Sequence, residues 1–170
     1  MNALSDPRVA KHLNDNFVCT YMKVGAFKIV NGQKVGGNVA SYFCLADGSV
    51  VNAIAGPVDA NKLLSEARWS ADMRKSAQTF ATDLRTDKID RTKYASCLRK
   101  AHGERFHEES RNMWGDKTAI PAQMPRNITQ QAQTNWLLAK TPMARIENVY
   151  PTVWRQILRE ELSDLPIERR

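Results

Sequence analysis

The stretch GNVASYFCLADGSVVNAIAG, Gly37 to Gly56, decides how the chain is read. ASYFCLA is almost wholly apolar or β-prone, which predicts a buried strand. Asp47–Gly48 follows it. A type I′ turn needs positive φ at both central positions, and this dipeptide tolerates that, so a hairpin is predicted. SVVNAIA is the return strand, ended by Gly56–Pro57. Asp59 then caps a helix that carries Leu63, Leu64 and Ala67, with Trp69 on or beside that face.

Upstream, Asp6 is an N-cap and Pro7 fits the first helical turn, where its missing N–H costs nothing. Val9, Ala10 and Leu13 form the apolar stripe, and Asn14, Asp15 and Asn16 stop it. Phe17 to Val24 is rich in β-formers and predicts a strand, with Phe17, Cys19 and Tyr21 on one face. Asn31–Gly32 predicts a small hairpin, and Gly36–Gly37 breaks the chain again.

Downstream of Ser70 the sequence becomes dense in charge. Ala77, Phe80, Ala81 and Leu84 keep a helical rhythm, and Tyr94, Leu98 and Ala101 keep it again. Two amphipathic helices are predicted, with a break near Thr86–Asp90. Gly115 to Asn127 is a proline-containing loop. Three short helices are predicted after it. One runs from about Thr129 to Ala139, one starts at Thr141–Pro142, and the last starts near Pro151. That last one carries Val153, Trp154, Ile157, Leu158 and Leu162.

The totals bound the class. A chain of 170 residues with 42% apolar and 25% charged residues has an ordinary globular composition. It has no apolar run long enough to span a membrane, and no membrane partner is expected. The start of the sequence has no apolar signal region, so a cytoplasmic location is expected as written, and an exported one if the true N-terminus lies upstream of Met1. Net charge is +7, which favours an acidic partner such as nucleic acid. No RNP strand, zinc knuckle or long Lys/Arg run accompanies it.

Candidate chemistry is sparse. Cys19, Cys44 and Cys97 are far apart and make no C-x-x-C, so neither a disulfide framework nor a cysteine zinc site is predicted. Cys19 and Cys44 are expected mid-strand as buried thiols. Cys97 shares the apolar stripe of Tyr94 and Leu98. Lys93, Arg99 and Lys100 nearby make it the candidate reactive thiol. In HGERFHEE, His102 and His107 are five apart, whereas helical metal pairs prefer three or four; His102, Glu104, His107 and Glu108 are therefore expected on a solvated charged face. Trp114, Trp136, Trp154 and Tyr150 are expected in a helical core. Asn127–Ile128–Thr129 has the glycosylation pattern, which matters only in a secretory context. No phosphate-binding loop, nucleophile elbow or dinucleotide fingerprint is present, so no cofactor, metal site or catalytic residue is predicted.

Two segments together carry a resemblance. SDPRVAKHLNDNFVCTYMKV resembles the helix-then-strand segment that follows the active site in thioredoxin-like domains, and VASYFCLADGSVVNAIAGPVDANKLLSEA resembles their closing hairpin and last helix. The match covers about Ser5 to Trp69 and leaves the remaining hundred or so residues unexplained. The resemblance implies an α/β chain: an incomplete thioredoxin-like sheet with flanking helices over residues 1–84, and an all-helical C-terminal region over 85–170. In relatives a strand leads into a C-x-x-C at a helix N-terminus; here that segment would precede Met1. Relatives also place a cis-proline where this chain has Ala40, after Val39, so a trans bond is expected. The missing strand would sit between Phe17–Val24 and Ser41–Leu45. Those two must pair directly or leave a slot for another chain, which makes dimerisation through the incomplete sheet a further expectation.

The expected role is accordingly non-catalytic: a thioredoxin-like binding or scaffold protein with a protein or peptide partner. By family analogy the groove lies at Gly36, Gly37, Asn38, Val39 and Ala40. The alternatives are the C-terminal portion of a thiol–disulfide oxidoreductase whose C-x-x-C lies upstream, and a basic nucleic-acid-binding accessory protein.

Overall fold

The computed structural model describes residues 3–25, 27–114, 119–163 and 168–169. Among these the chain is mixed α/β, with five α-helices and short antiparallel strands in two-stranded sheets. Helix α1 spans Pro7–Asn16, and its N-cap Asp6 accepts from the N–H of Arg8 at 2.8 Å. Strand β1 (Met22–Lys23) pairs with β8 (Glu168–Arg169) at the far end of the chain. Strands β2 (Phe27–Val30) and β3 (Gln33–Gly36) form the first hairpin. Asn31 (φ 52°) and Gly32 (φ 76°) sit at its turn, as the type I′ geometry requires.

Strands β4 (Ala40–Cys44) and β5 (Val50–Ala55) form the second hairpin. Its turn differs from the expectation, because Gly48 has φ 82° while Asp47 stays at negative φ. The N–H of Gly48 donates to Leu45 O, and the N–H of Leu45 to Ser49 O. This is a type I turn closed by a left-handed glycine, the three-residue hairpin loop. Asp47 accepts from the N–H of Ser49 at 2.9 Å, and that bond stabilises negative φ at Asp47. Phe43 opposes Asn52 and Cys44 opposes Val50, so Val51 is the extra residue of a bulge.

Helix α2 (Ala60–Ala81) runs unbroken through Ser70, capped by Asp59 to the N–H of Lys62 at 2.7 Å. The predicted break after it is a minimal ladder of β6 (Thr82–Asp83) and β7 (Lys88–Ile89). Helix α3 (Arg91–Trp114) follows, then irregular chain over 119–129, then α4 (Gln130–Lys140), N-capped by Thr129. Residues 115–118 of the predicted loop lie outside the described residues, as does the side chain of Trp114.

Four further expectations are corrected. Of Phe17–Val24, only Met22–Lys23 is strand; Val18, Cys19 and Tyr21 are exposed. Phe17 closes α1 and its ring packs on Phe43 at 5.4 Å, whereas Val24 packs on the core containing Trp154. The segment between them passes from one face of the second hairpin to the other, and only Met22–Lys23 finds a ladder, with β8. No helix starts at Thr141–Pro142. The N–H and hydroxyl of Thr141 both donate to Leu137 O, so it ends α4 instead. The last helix, α5 (Ile146–Thr152), starts before Pro151 and continues into a π-helical turn over Val153–Leu158. Pro151 lacks the N–H that would tie it back to Glu147, and the wider turn follows directly. Phe80 is exposed although Ala77 and Ala81 on the same helix are buried, and Leu84, also exposed, lies beyond the helix in the turn after β6. Ala77 and Ala81 share a core with Tyr94 and Leu98 of α3.

Three cores pack around β5. Val50, Ala53 and Ala55 join Leu137, Leu138, Val149, Val153, Trp154 and Ile157. Ile54 and Phe43 join Val9, Leu63, Leu64 and Ala67. Val51 joins Ala77, Ala81, Tyr94 and Leu98. No helix among the described residues is long and apolar enough to cross a membrane.

Burial separates residues that the sequence pattern treats alike. Ile54, 1% exposed, should lose about 2–5 kcal/mol on Ile54→Ala, and Leu84, 96% exposed, less than about 0.5 kcal/mol on Leu84→Ser. Urea unfolding of the two variants measures both.

Candidate functional site

The cysteines do not assemble. All three are free thiols. Cys19 is exposed on the unladdered segment, which corrects its expected burial. Cys44 is half-buried in β4; burial first, then the charges of Glu147 and Asp47, push its thiol up to about 11. Cys97 packs at the edge of the core formed by Tyr94 and Leu98.

The five groove residues are consecutive and link the two hairpins. Gly36 ends β3, Gly37 has φ 74°, and Ala40 begins β4. The Val39–Ala40 peptide bond is trans. The N–H of Asn38 donates to the Glu160 carboxylate at 3.2 Å, and the N–H of Val39 to Asn38 Oδ1 at 3.0 Å. Val39 O accepts from the N–H of Gly56 at 2.8 Å. The backbone of Asn38 and Val39 is therefore already engaged.

A cluster that the sequence reading missed lies under β5. Glu66 of α2 is 2% exposed and His102 of α3 is 1% exposed. The expectation of a solvated HGERFHEE face therefore fails at His102 and at His107, whose two ring nitrogens are buried, although Glu104 and Glu108 are exposed. Burial alone would raise the Glu66 carboxyl. Hydrogen bonds from Arg105, Asn52 and Lys62, with the charge of Arg105, overcome it and hold the group at about 2. Asn52 Nδ2 donates to Glu66 Oε2 at 2.9 Å and to Ser70 Oγ at 3.1 Å, and Lys62 Nζ lies 2.9 Å from Oε1. The Arg105 guanidinium bonds the same oxygen and stacks 4.4 Å from the ring centre of Trp69, a cation–π contact.

His102 bridges this cluster to the strand. Its Nε2 lies 2.9 Å from Val51 O, the carbonyl turned outward at the bulge. A carbonyl only accepts, so Nε2 carries a hydrogen. Nδ1 lies 2.9 Å from Asn135 Oδ1, and Asn135 Nδ2 donates to Glu109 Oε2 at 3.2 Å. With the amide in that orientation the ring is a cation and Glu109 a carboxylate. With the amide reversed, Nδ2 donates to a neutral ring and a protonated Glu109 donates to Oδ1. The two arrangements hold the same proton in different places. Burial lowers His102 and raises Glu109, and both shifts favour the neutral pair.

The pattern for these residues was present in the sequence. Tyr94, Leu98, His102, Phe106 and Ser110 follow at four-residue spacing, and all are buried. Reading HGERFHEE as a block of charge hid the histidine's place in that row. Glu66, His102, Asn52 and Asn135 are closed to solvent and turned to one another, Lys62 reaches them from the surface, and Arg105 Nη1 is buried without a hydrogen-bond partner. Among the described residues no group of three or more His, Cys, Asp or Glu could hold a metal ion.

The same geometry treats the two edges of the hairpin differently. On the outer edge of β5, Val51 O accepts from His102 and Ala53 O accepts from Gln131 Nε2 at 3.1 Å. The N–H of Val50 donates to Ala144 O. The outer edge of β4 has no ladder partner among the described residues. No family model, curated protein or solved structure matches this chain.

Removing the carboxylate leaves Arg105 and Asn52 without their acceptor, so Glu66→Ala should cost about 3–5 kcal/mol. The sign of the pH dependence follows from the shift. Glu66 contributes stability above its ordinary 4.5, and that contribution is lost as pH falls from there toward about 2. His102, lowered from 6.5, adds stability that is lost as pH falls below that value. Acid unfolding of the native chain followed by circular dichroism should therefore steepen below pH 4.5. The Glu66→Ala variant should lack that step.

Proposed function

We propose that this chain is a thioredoxin-like binding module that works without dithiol chemistry. Its contact surface is the Gly36–Ala40 turn and the strand that turn leads into. The observation that carries this reading is the contrast between the thiols and the hairpin edge. No two of the cysteines are joined, and Cys44, the one in the hairpin, is held protonated at neutral pH. The hairpin meanwhile keeps one closed and one unpaired edge. The order of α1, extended segment, hairpin and α2 supports the family likeness. The helices that follow pack on β5 and on the Ala40, Tyr42 and Cys44 face of β4, and so brace the hairpin.

Thiol reactivity tests this on the full chain. An aromatic disulfide should modify exposed Cys19 first and Cys44 at least about tenfold more slowly, because little of a thiol held at about 11 is thiolate at neutral pH. Insulin reduction in the presence of dithiothreitol should run at the rate of dithiothreitol alone. A catalysed rate that is lost on Cys19→Ser or Cys44→Ser would overturn the proposal.

A further inference from the structure

We propose that Glu109 is a two-position proton switch: protonated, it locks α4 to His102 through Asn135, and ionised, it turns to Arg105. Counting donors and acceptors leads to it. Nε2 of His102 is committed as a donor to Val51 O, so Nδ1 of the neutral ring can only accept. Nδ1 meets one end of the Asn135 amide at 2.9 Å, and Glu109 Oε2 meets the other end at 3.2 Å. An amide has one donor end and one acceptor end. A neutral ring and a carboxylate both need the donor end. Whichever way the amide is turned, one of the two contacts then sets acceptor against acceptor. One proton on Glu109 removes the conflict, because its carboxyl donates to Asn135 Oδ1 while Nδ2 serves the ring. The chain of three is complete with one proton and incomplete with none.

A second observation supplies the place for the ionised carboxylate. Arg105 lies one turn before Glu109 on α3, the spacing at which two side chains meet. Its Nη2 is bonded to Glu66 and its guanidinium is stacked on Trp69, so the group is fixed. Its Nη1 is buried without a hydrogen-bond partner. A buried cationic donor without an acceptor is costly, and a carboxylate from the next turn provides one. Glu109 is half-buried whereas Asn135 is fully enclosed, so the carboxyl is the member that can move. The charges acting on the pair come from α2 and α3, while β5 and α4 face it with the Val51 carbonyl and Asn135, which do not titrate. Burial, the largest effect, and Glu66 favour the neutral carboxyl. Arg105, Lys62 and the Asn135 bond oppose them, and Glu109 stays above its ordinary 4.5. Burial, with Arg105, keeps the proton off His102 against the pull of Asn135, Val51 and Glu66. A raised carboxyl contributes stability that is fully present below 4.5 and is lost as pH rises through its folded value. The latch between α3 and α4 therefore closes as pH falls and opens as pH rises.

Side-chain NMR of the full chain between about pH 4 and about pH 8 tests the switch. The carboxyl carbon of Glu109 should titrate with a midpoint above 4.5, and the Asn135 Nδ2 and His102 Nδ1 signals should move with that same midpoint while the ring stays neutral. Above the midpoint the Nη1 protons of Arg105 should exchange at least about tenfold more slowly than below it. Glu109→Gln keeps a donor on Asn135 Oδ1 at every pH. Its Asn135 and His102 signals should be flat over this range and match the acidic end of the native titration. Four results overturn the proposal: a Glu109 midpoint at or below 4.5, Arg105 protons whose exchange does not change across the midpoint, a His102 ring that takes the proton itself, or a folded Glu109→Gln chain in which Asn135 and His102 still titrate. The first three are read on the native chain, so they decide the matter even where the variant does not fold.

Discussion

Val50–Ala55 is buried along its whole length, and a buried strand must find a partner for nearly every N–H and C=O it carries. One edge of β5 is served by β4. The other faces helices, which have no spare backbone to offer. The chain meets that demand with side chains, His102 from α3 and Gln131 from α4, and with the backbone of Ala144. Three cores can share this strand because its outer carbonyls are met individually rather than by a further strand.

The cost of that solution is visible in the polar cluster. Placing an imidazole under the bulge at Val51 requires a second partner for Nδ1, which is Asn135, and then a partner for Asn135, which is Glu109. Glu66 and Arg105 close the other side against Asn52 and Trp69. Such a network stabilises only when every member is satisfied, since a single buried orphan costs about 1–3 kcal/mol. Here β5, α2, α3 and α4 all contribute, so the cluster fixes how the helices sit on the strand.

Elements with local chemical causes were readable from sequence. Asp6, Asp59 and Thr129 each accept from a backbone N–H at the start of a helix, as their residue types predict. Asn31–Gly32 produced its hairpin for the same kind of local reason. Features that depend on distant partners were not readable. Phe17–Val24 has the composition of a strand, but composition cannot supply a neighbouring strand, and only Met22–Lys23 is strand. The HGERFHEE motif has the charge of a surface, yet one residue in it caps a strand 51 positions away. The chain break at Gly36–Gly37 was visible from its glycines and the groove at Gly36–Ala40 came from the family likeness alone, whereas the pairing of β4 with only one strand follows from the register of β4 on β5.

The closed edge of β5 is the claim on which the open edge of β4 depends. The most direct measurement is the nitrogen NMR of the His102 ring together with the scalar coupling across its hydrogen bond to the Val51 carbonyl. A ring that stays neutral well below its ordinary 6.5, with a slowly exchanging proton on Nε2 coupled to that carbonyl, is the expected result. A ring that titrates near 6.5, with no coupling and a freely exchanging proton, would mean that β5 is not closed by α3 and would contradict this account of the fold.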